Sequence, residues 1–387
     1  MSNDSKIYLC SGVRTPIGSF RGSFASTPAS ELGIAAATEA IKRAGIDAST
    51  IDEVVTGCVL TAGMGQNISR QVALGAGVPN GVPAYTVNKV CSSSLKALQL
   101  ATLSIRAGNT KSALVVGTEN MSRVPFYIPR GELPYGGAQM IDGLAKDGLE
   151  DASLHCPMGL CAEKSAKDFS VSRSDSDTYA IESYRKAATA WKEGKFSHEV
   201  VPVSIQDKRK TVIVAEDEEY KKLIAEKVPT LSPAFLKDGT GTITAANASS
   251  LNDGAVAACV SASPSASPLA EILAFAESSA EPVDFTVVPV DAVKKLLSQT
   301  NLSVGDIALW EVNEAFAVTA LAFIKTLGID PSRVNVKGGA VALGHPLGMS
   351  GLRITVSLAH SLEAGQLGVA AICNGGGEAV AVLLKGC

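Results

Sequence analysis

Residues 44–55 read AGIDASTIDEVV and follow a helix-like run rich in alanine and lysine. A similar passage, NLSVGDIALW, occupies residues 301–310 and begins 257 residues further along the chain. In both passages a helical pattern gives way to a short run of aliphatic residues, which is typical of a strand that follows a crossover helix. The recurrence of this unit predicts that the chain is built from two related halves.

Further matches keep the same spacing. Leu95 and Leu352 each lie in an amphipathic stretch that a glycine ends thirteen residues later, at Gly108 and Gly365. Apolar runs follow in both halves, ALVVG at 113–117 and VAAIC at 369–373, so the offset stays at 256 to 257 residues. Chance similarity between two helices would not maintain it. Helical patterns that alternate with aliphatic strands predict an α/β protein with largely parallel sheets, in which the two halves stack.

A segment of different character separates the two halves. Residues 122–246 contain several prolines and the charged stretch 216–222. Helical periodicity from Asp177 to Trp191 and a strand-like pattern from Val200 to Val214 favour a folded insertion over a flexible linker. We therefore expect a first half at 1–121 that is completed by about 247–265, an inserted loop domain at 122–246, and a second half at 266–387.

Composition excludes several classes of protein. The 387 residues carry a formal charge of −4, and the basic run Lys208-Arg209-Lys210 is too short to bind duplex nucleic acid. No window reaches the roughly 20 apolar residues of a membrane span. The eight cysteines lack the paired spacing of zinc sites or secreted scaffolds, which indicates reduced intracellular thiols. The first strand-like run starts at Ile7, leaving no room for a leader, so we expect a cytoplasmic protein, or a mitochondrial one from which a leader was removed.

Cys91 is the first candidate for chemistry. It follows YTVNKV and precedes SSSLKAL, so it lies where a strand or turn gives way to a helix. The free N–H groups and dipole of a helix N-terminus favour a thiolate and lower the pKa of a thiol. The alternative, on this motif alone, is a buried structural cysteine. Cys10, Cys58 and Cys259 lie among small and apolar residues and are expected to be of that ordinary kind.

His345 lies in a glycine-dense loop, residues 338–351, which reads GGAVALGHPLGMSG. The repeat places Cys91 opposite Gly348, so His345 precedes the second half's equivalent of the helix that follows Cys91. If a pseudo-twofold axis relates the halves, the two helix starts face each other. A histidine beside a cysteine is an activating pair for covalent acyl transfer. His155, His198 and His360 have charged or variable surroundings and are expected at the surface.

Two more segments could complete a site. Cys373-Asn374-Gly375-Gly376-Gly377 ends an apolar strand with a glycine turn, whose N–H groups can approach an oxyanion without side-chain obstruction. Phosphate binding is the alternative, although no Gly-Lys-Ser/Thr element accompanies this turn. Asn313 and its acidic neighbour follow a strand in VNEAFA. Alone, that segment would be an unremarkable helix start.

Together these segments resemble the thiolase family in order and spacing, over essentially the whole chain. NKVCSSS (88–94), VNEAFA (312–317), the His345 loop and CNGGGEA (373–379) resemble the four active-site loops of that family. TAANASSLNDG (244–254) resembles its coenzyme A loop, and EDEEYKK, KVP, PYGG and KDGL are similar to the acetoacetyl-CoA thiolase branch of mitochondrial type. The resemblance implies the thiolase fold: two βαβαβαββ halves stacked as αβαβα layers, with an inserted loop domain.

The resemblance also implies an acetyl-CoA C-acetyltransferase that condenses two acetyl-CoA reversibly to acetoacetyl-CoA and CoA. Cys91 would take the acetyl group, His345 would activate its thiol, and Cys373 would remove a proton from the second acetyl-CoA. His345 and a water held by Asn313 would stabilise the enolate oxygen. The N–H groups of Cys91 and Gly375 would stabilise the tetrahedral intermediate.

The family pattern extends to ligands and assembly. It implies coenzyme A as a substrate and product, no covalently bound cofactor, and a homotetramer formed from two dimers. The implied coenzyme A contacts are Met158, Tyr184, Lys227, Phe235, Ser249 and Phe316. A possible potassium ion would be bound by Tyr184 and by carbonyl groups of Ala245, Ala246, Ala248 and Val341. The chain departs from the family where Pro157 replaces a common histidine before Met158, with His155 displaced by two positions.

Two alternatives remain. A decarboxylating ketosynthase or a hydroxymethylglutaryl-CoA synthase would share the fold and the acylated cysteine, but these enzymes use different bases. Cys373 and Asn313 favour the thiolase set. A noncatalytic coenzyme A carrier or lipid-transfer protein is the alternative from another class, and the presence of all four polar loops argues against it.

Overall fold

The computed structural model describes residues 6–131, 134–207, 210–264 and 267–387. Its strands, in chain order, are β1 Tyr8–Arg14, β2 Gly18–Ser19, β3 Glu53–Gly57, β4 Ala84–Val87, β5 Ser112–Asn120, β6 Phe126–Tyr127, β7 Ile141–Asp142, β8 Val203–Asp207, β9 Lys210–Val214, β10 Asn252–Ser261, β11 Ala270–Ser279, β12 Leu309–Val312, β13 Leu367–Asn374 and β14 Glu378–Gly386.

The α-helices are α1 Ala29–Arg43, α2 Ile68–Gly75, α3 Ser93–Arg106, α4 Met158–Asp168, α5 Arg173–Lys192, α6 Val288–Thr300, α7 Ala317–Leu327, α8 Ala340–Leu343 and α9 Leu347–Ala359. Short 3₁₀ turns lie at Ala48–Thr50, Met121–Arg123, Glu219–Lys222, Ala225–Thr230, Pro282–Asp284, Val304–Asp306 and Pro331–Arg333. A π-helical turn spans Ala145–Leu149.

The two halves have the same strand order, which confirms the predicted repeat. The expectation of a largely parallel sheet is wrong: β3–β4, β3–β5 and β12–β13 pair in parallel, but the central pairings β1–β10, β5–β10, β11–β14 and β13–β14 are antiparallel. A tight turn at 375–377 joins β13 to β14 and requires the antiparallel pairing there. In the first half the order across the sheet is β4-β3-β5-β10-β1, and in the second it is β12-β13-β14-β11. The counterpart of β4 in the second half is a single parallel bridge between Trp310 and Val334. A short antiparallel pairing of β1 with β11, at Leu9 and Ala270, joins the halves into one continuous ten-stranded sheet.

Three apolar clusters account for the layers. The largest lies between the halves and contains the buried faces of α3 and α9, including Leu95, Leu98 and Leu352. A second cluster packs α1 and α2 on the outer side of the first half, and a third packs α6 and α7 on the outer side of the second. The resulting order of layers is αβαβα, as expected. The starts of α3 and α9 therefore lie close together at the centre of the molecule.

The inserted segment is folded, as the sequence predicts. The helix expected from Asp177 to Trp191 is α5, which a capping box between Ser172 and Asp175 begins. The strand-like stretch from Val200 forms the antiparallel hairpin β8–β9. Lys208 and Arg209 of the basic run lie outside the described residues, as does the expected domain boundary at 265–266.

A buried ionic network attaches the inserted segment to the core. Arg14 of β1 donates to Glu199 at 2.7 Å and to both carboxylate oxygens of Asp217 at 2.7 and 2.9 Å. Lys337 of the second half donates to the other oxygen of Glu199 at 2.8 Å. The pKa of Glu199 is lowered far below its usual range, because Lys337 and Arg14 outweigh the opposing effect of burial. The network thus connects both halves and the insertion.

Candidate active site

Cys91 lies immediately before α3, as its sequence context predicts. Ser92 is the N-cap of that helix, and Val90 has a φ of 47°. A β-branched residue rarely adopts this left-handed conformation, so the turn is strained. The Val90 carbonyl accepts a hydrogen bond from Ser93 at 2.6 Å, and the side chain of Asn88 accepts one from the Val90 amide at 3.0 Å. These bonds hold Cys91 in a fixed position at the turn.

The Cys91 thiol has a raised pKa, about 12, so the predicted lowering is wrong for this buried site. Burial is the main cause, because a thiolate loses its hydration there, and the negative charge of Glu119 adds to it. The backbone N–H groups of Cys91 and Gly375 point to the sulfur and oppose the shift. The thiol is therefore protonated at rest and needs a base to react, while two N–H donors already converge on it.

Cys373 is the last but one residue of β13 and is fully buried. Burial raises the pKa of its thiol strongly, and the charge of Cys91 raises it further. The two cysteines lie close together, because the Oγ of Ser92, the neighbour of Cys91, is 3.4 Å from the carbonyl of Ile372, the neighbour of Cys373. The turn that follows requires glycine. Gly377 has a φ of 82°, and a Cβ atom there would lie 2.5 Å from the Ala280 carbonyl. Asn374 accepts a hydrogen bond from Ser92 at 2.8 Å, which ties this turn to the start of α3.

His345 lies between α8 and α9, and its side chain is held at Nδ1. Ser350 Oγ donates to the Pro346 carbonyl at 2.8 Å and lies 2.6 Å from Nδ1, so it accepts the Nδ1 proton. The Nε2 lone pair is then the basic position of the ring. Burial and the positive charge of Arg353 lower the His345 pKa to about 3. The imidazole is therefore neutral at rest, and its Nε2 carries no proton.

The His345 loop is fixed relative to its surroundings by Asn252. The His345 amide donates to Asn252 Oδ1 at 2.9 Å. Gly344 has a φ of 105°, and a Cβ atom there would lie 2.4 Å from the same side-chain amide. Leu347, two residues beyond His345, packs in one apolar cluster with Cys91. The structure thus brings the histidine loop to the nucleophile.

Asn313 is the fourth predicted catalytic residue, and it lies next to His345. Its Nδ2 lies 3.4 Å from His345 Nε2, at the limit of a hydrogen bond. Its Oδ1 is buried and has no hydrogen-bond partner within the described ranges. A buried carbonyl oxygen without a partner suits a site that takes a donor from a ligand or a water molecule.

Sequence reasoning missed Glu119. Its buried carboxylate accepts N–H groups from Val59, Leu60 and Gly348, at 3.0, 3.1 and 2.8 Å. Burial raises the pKa of Glu119, and these three N–H groups oppose the shift. The residue ties a loop of the first half to the start of α9. Its one signal in the sequence is an acidic residue at the end of the apolar strand β5.

Sequence reasoning also left Glu314 without a role, although it is the neighbour of Asn313. In the structure its carboxylate is a hub that joins α5 to the start of α8. It accepts hydrogen bonds of 2.8 to 3.0 Å from Tyr179, Ser183, Asn335 and the amide of Val341. Glu314 therefore fixes the loop that leads to His345.

Some of the expected coenzyme A contacts converge and others do not. Met158, Phe235 and Phe316 share one apolar cluster with Cys373. The Met158 Cε lies 3.5 Å from where a Cβ atom of Gly375 would be, so this side chain overlies the glycine turn. Ser249 donates to the Ala315 carbonyl at 2.9 Å, beside Phe316. Lys227 is exposed on a 3₁₀ turn, and Tyr184 packs in the cluster between the halves.

The comparisons with known proteins agree with this geometry. The family description "Thiolase, N-terminal domain" matches residues 7–263, and "Thiolase, C-terminal domain" matches residues 266–386. The chain belongs to the thiolase family. The mitochondrial acetyl-CoA acetyltransferase A of Xenopus laevis is 49% identical, over 98% of this chain and 92% of that protein. The human mitochondrial acetyl-CoA acetyltransferase is 47% identical, over 98% and 90%.

Solved thiolase structures have the same fold. The Acat5 thiolase of Ascaris suum, in complex with coenzyme A, matches with a TM-score of 0.96 and 55% identity over 99% of this chain and 100% of that one. The acetyl-CoA acetyltransferase of Bacillus anthracis matches with a TM-score of 0.95 and 35% identity, over 99% of both chains. The predicted thiolase fold is therefore confirmed.

The departure from the thiolase pattern before Met158 has a clear structural outcome. Pro157 is the N-cap of α4. His155, with its side chain 73% exposed, lies near Glu150 and not in the site.

The expectation that His360 is a surface residue is wrong, because its ring is half-buried and lies 2.8 Å from the Gly12 carbonyl. Burial lowers the pKa of His360.

The hydrogen bonds define the direction of the Ala248 carbonyl, one of the groups expected to bind potassium. In the antiparallel bridge between Ala248 and Phe316 the hydrogen bonds are formed by their neighbours, from the Ser249 amide to the Ala315 carbonyl and from the Ala317 amide to the Asn247 carbonyl. The Ala248 carbonyl therefore points away from Phe316. Asn247 donates to Asp177 at 2.9 Å and ties this loop to α5, which carries Tyr184.

Proposed function

We propose that this thiolase is an acetyl-CoA C-acetyltransferase that condenses two acetyl-CoA to acetoacetyl-CoA and CoA, reversibly, through an acetyl-cysteine. The observation that carries the proposal is the meeting of two thiols, the partly buried Cys91 and the buried Cys373, near the loop that carries the neutral imidazole of His345. A single acyl transfer needs one thiol. The formation of a carbon–carbon bond also needs a base next to the acylated residue, and the second thiol supplies it.

In the first half-reaction His345 Nε2 takes the proton of Cys91, and the thiolate attacks the thioester carbonyl of acetyl-CoA. The amide N–H groups of Cys91 and Gly375, which already point to the Cys91 sulfur, are placed to stabilise the oxyanion of the tetrahedral intermediate. When the intermediate collapses, His345 returns the proton to the departing coenzyme A sulfur. The acetyl group remains on Cys91.

In the second half-reaction the Cys373 thiol first gives its proton to His345 Nε2, and the resulting thiolate removes a proton from the methyl group of a second acetyl-CoA. The enolate oxygen takes hydrogen bonds from His345 and from a water held by the unpartnered Oδ1 of Asn313. The enolate carbon then attacks the acetyl carbonyl on Cys91. Acetoacetyl-CoA forms, the bond to the Cys91 sulfur breaks, and the Nε2 proton of His345 passes to the Cys91 thiolate and restores the free thiol.

Coenzyme A would lie under the inserted segment, for which we retain the bounds 122–246. Support comes from the apolar cluster in which Met158 and Phe235 of that segment meet Phe316 of the second half. Ser249, Tyr184 and the exposed Lys227 complete the proposed contacts. Lys227 provides a positive charge at the surface, where a phosphate group would be solvated.

We further propose a homotetramer and a potassium site. Support for assembly comes from exposed apolar side chains around the β6–β7 hairpin: Phe126 is 57% exposed, Ile128 56% and Met140 68%. A sedimentation mass near the monomer value of 39.7 kDa would contradict the tetramer.

In the proposed potassium site, the ion would be bound by Tyr184 and by the carbonyl groups of Ala245, Ala246, Ala248 and Val341.

We also propose a mitochondrial location for the protein. The mitochondrial names of the similar acetyltransferases favour the mitochondrial alternative over the cytoplasm. In the described part of the chain, no helix has both the length and the apolar character needed to cross a membrane.

A cleavage assay tests the proposed function. The purified enzyme with free coenzyme A should consume acetoacetyl-CoA and yield two acetyl-CoA. Rates on a 2-methyl derivative and on a long-chain 3-oxoacyl-CoA would define the acyl range. Decarboxylation of malonyl-CoA without cleavage of acetoacetyl-CoA would instead favour a ketosynthase, and binding without turnover would favour a carrier.

A further inference from the structure

Two cysteines that the catalytic proposal does not use flank the first turn of α4. Pro157 is the N-cap of this helix and Met158 its first residue, so Cys156 takes the position before the cap and Cys161 the fourth position of the helix. Side chains at these two positions pack against each other in the hydrophobic staple of helix N-termini. The local geometry alone therefore brings the two thiols together.

The environment of the pair agrees with that expectation. Burial raises the pKa of the Cys161 thiol, and the nearby Cys156 thiol raises it further; both cysteines are free. Cys161 is buried, whereas Cys156 is partly exposed and so open to small reagents. Both belong to the apolar cluster that holds Met158 and Cys373. The pair thus lies within the wall of the proposed coenzyme A site.

We propose that Cys156 and Cys161 form a modification site, a dithiol that a peroxide converts to a disulfide. The partly exposed Cys156, as its thiolate, attacks a peroxide oxygen and breaks the O–O bond, which gives a sulfenic acid and, with hydrogen peroxide, one water. The Cys161 sulfur then attacks the Cys156 sulfur and releases the oxygen as a second water. The two thiols lose two protons and two electrons, and the peroxide gains them.

The disulfide between Cys156 and Cys161 would alter the wall of the proposed coenzyme A site. Two sulfurs in non-bonded contact must approach by roughly 1.5–2 Å to reach the disulfide length of about 2 Å. Cys161 is buried within α4, so the movement that brings the two sulfurs together falls on Cys156 and on the turn that carries Met158. Because Met158 overlies Gly375, the disulfide should weaken the binding of coenzyme A. This consequence rests on the proposed function, whereas formation of the bond does not.

Mass spectrometry tests the bond itself without any activity. Cleavage by trypsin after Lys146 and Lys164 leaves one peptide, residues 147–164, that contains both thiols and no other cysteine. After limited hydrogen peroxide, this peptide from the full-length enzyme should lose the mass of two hydrogen atoms and take up no iodoacetamide until a reductant is added. Two alkyl groups on the peptide, or a sulfinic acid on Cys156 without the disulfide, would overturn the proposal.

Controls separate this pair from ordinary thiols. Cys156→Ser should remain fully open to alkylation at Cys161 once the protein is denatured. Cys10 and Cys259 lie on the paired strands β1 and β10, with Ser11 opposite Cys259, and provide a matched pair within the same sample. They should be alkylated as before. If they form a disulfide at the same peroxide dose, the reaction is not specific to the α4 pair and the proposal fails.

Kinetics tests the consequence for the site. After peroxide is removed, the KM for coenzyme A in the cleavage direction should rise several-fold in the native enzyme, and dithiothreitol should reverse the rise. Cys156→Ser cannot form the disulfide, so its KM should be the same before and after the treatment. Oxidation of Cys91 would instead lower kcat in both proteins, which distinguishes it from the disulfide. An unchanged KM in native enzyme that carries the disulfide would show that the bond does not affect the site. Absence of acetoacetyl-CoA cleavage before treatment would count against the proposed function alone.

Discussion

The ionic network around Arg14 and the thiol site around Cys91 are both buried, yet their polar groups are satisfied to different degrees. In the network Arg14 Nε pairs with Glu199 and its two terminal nitrogens pair with Asp217, while Lys337 completes the pairing of Glu199. In the site, both thiols carry pKa values raised by burial, and Asn313 Oδ1 has no partner in the described part of the chain. One cluster is electrostatically complete and the other is not.

The difference separates stability from reactivity. A fully paired buried network fixes one arrangement of the two halves and the insertion, and removing one member leaves an unpaired charge. An incompletely paired site retains hydrogen-bonding capacity for charges that develop only during a reaction. Substitutions in the network should therefore change unfolding, whereas substitutions in the site should change turnover.

The largest effect is expected for Cys91→Ala. Loss of the acyl acceptor should lower cleavage of acetoacetyl-CoA by several orders of magnitude, roughly 10⁴-fold or more, while coenzyme A still binds. The melting temperature should stay near that of the native enzyme. Cys259→Ala, a buried cysteine in β10, is the matched control and should retain activity. Substantial turnover by Cys91→Ala would contradict the assignment of reactivity to the site around Cys91, and with it the contrast to the Arg14 network.

Arg14→Met should produce the opposite pattern. Leaving Asp217 buried without its partner should cost about 3–5 kcal/mol in the free energy of unfolding, measured with urea, with turnover kept in the folded fraction. Arg185→Met removes an arginine from an exposed pair and should have no measurable effect. Loss of turnover in fully folded Arg14→Met protein would contradict the assignment of the network to stability.

The pH dependence of that cost has a definite sign. The folded-state pKa of Glu199 lies far below the unfolded value of about 4.3, so its pairing stabilises the native state above that value. The stabilisation is lost as the pH falls through the unfolded pKa toward the folded one. The difference between Arg14→Met and the native enzyme should therefore be largest near neutral pH and shrink in acid. A difference that grows in acid would contradict this account.

A smaller effect is expected for Ser350→Ala. Without its acceptor, the Nδ1 proton of His345 is buried unsatisfied or moves to Nε2, where it blocks the base. Turnover should fall by roughly 10- to 100-fold, equivalent to about 1–3 kcal/mol, with the KM for coenzyme A little changed. Ser361→Ala, just beyond the end of α9, removes a partly exposed hydroxyl as a control. Equal kcat values in the two variants would show that Ser350 does not position His345.

Most of the fold could be predicted from the sequence, because the repeat leaves a regular signal. The constant offset between residues 44–55 and 301–310 gave two halves of equal topology. Glycine-rich loops likewise marked His345 and Cys373, and a polar, serine-rich turn marked Cys91, since each lies where a strand or loop meets a helix or tight turn. Local sequence carries this kind of information well.

What the sequence did not predict depends on distant residues. Arg14, Glu199, Asp217 and Lys337 are spread over the chain, and no local pattern pairs them. Glu119 likewise bonds to backbone groups of two remote loops. The sign of the Cys91 pKa shift was wrong because a helix start favours a thiolate, whereas burial, visible only in three dimensions, outweighs it. The roles of the individual site residues stay predictions.

The division of work between the two thiols is the central claim, and Cys373→Ser tests it most directly. Two quantities are measured with acetyl-CoA alone: transfer of labelled acetyl to Cys91, and exchange of solvent deuterium into the acetyl methyl group. The variant keeps Cys91, His345 and the Gly375 amide but replaces the basic thiol by a hydroxyl of much higher pKa. The account predicts retained labelling of Cys91 with lost deuterium exchange. Exchange at a near-normal rate would contradict it and assign the base to another group, with His345 the first candidate.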